Sequence, residues 1–125
     1  MINNQRPKHL ALHLIELPLS GFVSILHRIT GLLLFLALPF LLLMLQYSLH
    51  SIESYTQLQS LLSHPISKLI LLGILWAALH HFCAGLRYLA IDLQLVCNLE
   101  QARFSSRLVM ATSLLLIFLL GVKLW

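Results

Sequence analysis

The chain has 125 residues, enough for a single domain, and a formal net charge of +4. It is 59% hydrophobic and only 10% charged, with a mean hydropathy of +0.91. That composition excludes an ordinary soluble globular domain. A pI of about 9.5 needs no nucleic-acid partner, because the basic residues are distributed as expected for a membrane protein.

The first segment, residues 1–21, is polar and carries Arg6, Lys8, His9, His13 and Glu16. No apolar run opens it, so no cleavable signal peptide is expected. Pro18 is expected to end any surface helix here. The remainder, 22–125, reads as one transmembrane domain with spans near 22–49, 66–96 and 107–125. Each is close to or above the roughly 20 residues that a helix needs to cross ~30 Å of hydrocarbon. Leucine runs without apolar–polar alternation argue against a β-barrel. The fold class is an all-α membrane protein with three transmembrane helices.

Pro39 falls inside the first span, where neighbouring helices can satisfy the carbonyl it frees. The polar stretch from His50 to Ser63 suits a short surface helix. Pro65 suits the first position of the next helix, with Ser63 or His64 capping it. A short loop from Asn98 to Ser106 makes the second and third spans antiparallel neighbours. Cys83 and Cys97 lie on one expected helix, too far apart for a disulfide, and read as small apolar thiols. Six of the eight basic residues, Arg6, Lys8, Arg28, Arg87, Arg103 and Arg107, fall on one side of the bilayer. Lys68 and Lys123 fall on the other. The positive-inside rule then places the N-terminus in the cytoplasm and the C-terminus in the periplasm of a bacterial inner membrane. Tyr47 and Trp125 suit interfacial anchoring.

Two polar sets interrupt the apolar spans. The first is Ser24-Ile25-Leu26-His27-Arg28-Ile29-Thr30-Gly31. The second is His80-His81-Phe82-Cys83-Ala84-Gly85-Leu86-Arg87-Tyr88-Leu89-Ala90-Ile91-Asp92. Ionisable groups at membrane depth mark functional sites by default. His81 has Gly85 one turn along the same face, a bare patch suited to a flat macrocycle, and neutral imidazole is an axial ligand for haem. The alternative is a histidine bonded across helices, with Gly85 serving close packing. His80 points about 100° away and cannot share the same iron. His27 and Arg28 are placed nearer the cytoplasmic surface, within reach of haem propionates or simply snorkelling to the interface. Ser24 and Arg28, four apart on one face, can bond a quinone carbonyl, or Ser20 or Ser24 can cap the helix. Arg87 has Asp92 or a propionate as its candidate partner. Thr30 and Gly31 read as packing residues. Three helices shield this much polarity poorly, so a partner in the membrane is expected.

Gln5-Arg6-Pro7, the Ser24–Gly31 set and the block from His81 to Asp92 together resemble the cytochrome b subunit family of succinate dehydrogenase. The resemblance covers nearly the whole chain. It implies an anchor of succinate:quinone oxidoreductase, in which a flavoprotein oxidises succinate and an iron–sulfur protein relays the electrons. Two hydrophobic anchor subunits then bind one haem b and ubiquinone between them. On this resemblance His81 is the haem iron ligand and the second anchor subunit supplies the other. Ser24 and Arg28 are quinone-site residues, and His27, Arg28, Gly85, Arg87 and Tyr88 form the haem neighbourhood. Tyr88 stands where the family usually has a second histidine. The rival expectations are a haem-free anchor of the fumarate-reductase type and a non-redox small helical membrane protein.

Overall fold

The computed structural model describes residues 17–124. The sequence features at Arg6, Lys8, His9, His13 and Trp125, and the Gln5-Arg6-Pro7 motif, lie outside the described residues. Four helices follow in order: α1 (Leu19–His50), α2 (Ile52–Ser63), α3 (Pro65–Asp92) and α4 (Leu99–Leu124). Among the described residues there is no strand. Helices α1, α3 and α4 are the spans, of 32, 28 and 26 residues. At 1.5 Å per residue even the shortest is about 39 Å long, which exceeds the ~30 Å hydrocarbon core.

Helix α1 starts without a side-chain cap; Pro18 takes the N-cap position and its carbonyl accepts from Gly21 and Phe22. Ser20 and Ser24 therefore lie inside the helix and do not cap it. Pro39 sits within α1 as expected. Helix α2 is the surface helix expected after His50. It opens on a reciprocal capping box between Ser51 and Ser54, and the Tyr47 hydroxyl donates to Gln57 to tie it back to α1. His64 caps α3, accepting from the Ile66 amide at 3.3 Å, with Pro65 as the first helical residue.

The apolar stretch runs on to Val96, but α3 stops at Asp92. Gln94 adopts a left-handed φ of 57°. Its amide bonds the Ile91 carbonyl and the Leu95 amide bonds that of Ala90, each at 2.9 Å, which makes a Schellman ending without glycine. Helix α4 begins at Leu99, well before residue 107, so most of the expected loop is helical. Asn98 starts it: its Oδ1 accepts from the Gln101 amide at 2.8 Å, and the Gln101 side chain accepts from the Cys97 amide at 2.8 Å.

Helix α3 is central and packs on both α1 and α4. The spans alternate in direction, which places Arg28, Arg87, Arg103 and Arg107 toward one end and Lys68 and Lys123 toward the other. The interior is small and polar. Val23, Ala77, Ala84 and Val109 share it with Thr30, His80, Arg87, Ser106 and Ser113. Small and hydroxyl-bearing residues bring membrane helices close, while the large apolar side chains, Phe35, Phe40, Leu43, Phe104 and Phe118 among them, face outward.

Candidate functional site: a paired histidine seat between α1 and α3

His27 on α1 and His81 on α3 meet where the two helices cross. Their imidazoles stack nearly parallel, with centroids 4.1 Å apart and planes 8° from each other. Helical side chains lean toward their own N-terminus. On antiparallel helices this tips His27 over Gly85 and His81 over Gly31. A Cβ on Gly85 would lie 3.8 Å from His27 Nε2, and one on Gly31 would lie 2.9 Å from His81 Cε1. Each helix thus carries a His-x-x-x-Gly pair, and each histidine rests against the glycine of the other.

This differs from the sequence expectation in two respects. The space beside Gly85 holds His27, and His27 is level with His81 instead of lying well above it. Both follow from the crossing point, which one-dimensional spacing does not specify.

The His81 ring is held by α1 backbone. Its Nδ1–H donates to the His27 carbonyl at 3.1 Å. Thr30 Oγ1 lies 3.5 Å from the same nitrogen and itself donates to Leu26 O at 2.8 Å and His27 O at 3.1 Å. A carbonyl only accepts, so the proton sits on Nδ1 and, in neutral imidazole, Nε2 carries the lone pair. His81 Nε2 makes no hydrogen bond among the described residues. Metal-ligating histidines are held in just this way, the second nitrogen bonded to a carbonyl that fixes tautomer and ring angle.

No group of three or more His, Cys, Asp or Glu residues able to hold a bare metal ion occurs among the described residues. A bare ion wants three or four protein ligands. A porphyrin iron brings four nitrogens of its own and asks one imidazole of this chain. The donor set of the described residues fits haem and offers too few ligands for a lone cation.

The other predicted positions separate into two groups. Ser24, half-buried, and Arg28, exposed, lie one turn apart on α1, and neither has a hydrogen bond or ion pair among the described residues. Tyr88 lies beside His27, ring centroids 5.1 Å apart, with its hydroxyl buried and unpartnered among the described residues. Arg87, by contrast, turns to α4. It is only 7% exposed, its Nε donates to Ser105 Oγ at 3.0 Å and its Nη2 to Ala102 O at 3.4 Å, and its guanidinium lies 5.4 Å from the Tyr88 ring centre. Asp92 is exposed and does not pair with it. His80 is fully buried on the α4 side of α3, with Nδ1 3.5 Å from Ser113 Oγ and its ring 5.5 Å from that of Trp76. The two adjacent histidines do face different neighbours.

Sequence reading passed over Thr30 and Gly31 as packing residues, yet both touch His81. The signal was the repeated His-x-x-x-Gly spacing on the two spans.

Three apolar helices, with the Nδ1 of a histidine on α3 set against a backbone carbonyl of α1, define a multi-pass membrane protein. Residues 2–120 match the family model described as succinate dehydrogenase/fumarate reductase transmembrane subunit. The chain belongs to that family. It is 37% identical over 125 residues to the succinate dehydrogenase cytochrome b556 subunit of Coxiella burnetii, covering 99% of this chain and all of that one. The subunit of the same name from Rickettsia felis is 32% identical, over 97% of this chain and 94% of its own. That from Paracoccus denitrificans is 32% identical, over 89% and 85%.

Proposed function

We propose that this chain is a membrane-anchoring cytochrome b subunit of succinate dehydrogenase, which helps bind haem b and ubiquinone and passes electrons from succinate oxidation to quinone. The observation that carries the proposal is the His81 imidazole, its Nδ1 proton held by the His27 carbonyl and its Nε2 left free to ligate. The names of the relatives, cytochrome b556 subunits, support the same reading.

His81 Nε2 would hold the haem iron from this chain, and another hydrophobic anchor subunit would supply the second ligand. His27, Arg28, Gly85 and Tyr88 form the surroundings, and Arg87, bonded to Ser105 and Ala102 on α4, borders them only through Tyr88; the buried Tyr88 hydroxyl is a donor suited to an acceptor such as a propionate. When bound, haem b supplies one-electron redox chemistry. Ser24 and Arg28 hold the quinone: the hydroxyl and the guanidinium donate to its carbonyl oxygens, and the fixed positive charge stabilises the negative charge that builds there on reduction. The chain itself oxidises no succinate; a flavoprotein does so, an iron–sulfur protein relays the electrons, and the two dock at the arginine-rich, cytoplasmic end of the bundle. The many outward-facing apolar side chains meet lipid and the second anchor. The complex sits in a bacterial inner membrane, with the C-terminus periplasmic.

The test is the purified complex. Reduction with dithionite should give the sharp visible bands of a bis-imidazole haem b. Their absence from a fully assembled, succinate-oxidising complex would turn the reading to a haem-free anchor.

A further inference from the structure

Gly31 stands apart from the other glycines. A Cβ there would lie 2.9 Å from Cε1 and 3.3 Å from Nδ1 of His81, with His81 Nε2 next at 3.9 Å. At Gly21, Gly85 and Gly121 the nearest atom would be at 3.7–3.8 Å, an ordinary contact, and at Gly73 nothing lies within 4 Å. The crowding at Gly31 is with one side chain alone, the imidazole just described. That ring has little freedom to yield. One face is covered by His27 at 4.1 Å, and withdrawal from α1 lengthens the 3.1 Å bond from Nδ1 to the His27 carbonyl.

We infer that Gly31 is a positioning residue for the His81 imidazole: its bare α-carbon lets the ring lie against α1, where the His27 carbonyl holds the Nδ1 proton. This deepens the haem reading above and rests on it. Helix α1 contributes no ligand of its own, yet it sets the nitrogen and the ring angle that α3 presents. Glycine is the one residue that leaves the space, and Thr30 beside it keeps its hydroxyl 3.5 Å from the same nitrogen.

The experiment compares Gly31→Ala with wild type in the whole purified complex. Haem should be retained about tenfold less tightly, the scale seen when groups that orient a metal ligand are altered. The haem that remains should show a displaced low-spin EPR signal, which reports the orientation of the axial imidazole and is indifferent to helix packing as such. Unchanged haem retention together with an unchanged EPR signal overturns the inference. His81→Leu runs alongside. Haem kept by that variant defeats the ligand assignment itself, whereas haem lost there but undisturbed in Gly31→Ala defeats the role of Gly31 alone. If Gly31→Ala does not assemble, the double variant Gly31→Ala/His27→Ala gives the imidazole room to retreat. Recovery of assembly and haem supports the inference, and continued failure shows that Gly31 serves helix packing and overturns it.

Discussion

The imidazoles of His27 and His81, on antiparallel helices, stack at 4.1 Å with planes only 8° apart. A single residue of α1 thereby supplies two different things to His81, a ring against its face and a backbone carbonyl for its proton. These separate on mutation. His27→Ala removes the ring and keeps the carbonyl. The lost aromatic pair costs about 1 kcal/mol, a modest drop in the melting temperature of the purified complex, while the haem bands persist. Complete loss of haem in His27→Ala would make His27 a ligand and contradict the tautomer argument.

Arg28 and Ser24 should govern quinone and little else. Loss of a charge-assisted bond is worth about 1.5–3 kcal/mol, so Arg28→Leu should lower ubiquinone reduction by roughly ten- to a hundredfold, and Ser24→Ala by less. Succinate oxidation measured with a soluble dye acceptor should survive both changes. Normal quinone turnover in Arg28→Leu removes that residue from the site.

Arg87 is a buried cation that leans on α4. Ser105→Ala takes away the acceptor of its Nε, leaving a donor unsatisfied at about 1–3 kcal/mol. Thermal unfolding in detergent should therefore move down clearly in Ser105→Ala. A variant as stable as wild type would show that the guanidinium finds a different acceptor in the assembled complex.

The end of α3 depends on Gln94 at a left-handed φ of 57°. A β-branched side chain tolerates that region poorly, so Gln94→Val should destabilise by about 1–2 kcal/mol. Gln94→Gly should be neutral or stabilising, and the opposite ranking in melting temperature would refute the Schellman ending.

The spans, the surface helix after His50 and the cap before Pro65 were legible because hydropathy, proline and capping residues are local signals. The helix ends near Asp92 and Leu99 were not. Gln94 takes a conformation usually marked by glycine, and Glu100, Gln101, Arg103 and Arg107 lower the hydropathy of a segment that Asn98 nonetheless caps as helix. His81 stood out on its own helix as a polar group at membrane depth. Its pairing with Gly31, the placing of His27 over Gly85 and the turn of Arg87 toward Ser105 depend on where the helices cross. Crossing points arise from packing between distant segments and leave no period in either one.

His80 and His81 are neighbours in sequence, and the central claim distinguishes them. The dithionite-reduced minus oxidised spectrum of the complex carrying each replacement by leucine is the direct measurement. His81→Leu should abolish the haem b bands, while His80→Leu, which loses only a fully buried ring near Ser113 and Trp76, should keep them. Bands that persist in His81→Leu and vanish in His80→Leu would contradict the assignment.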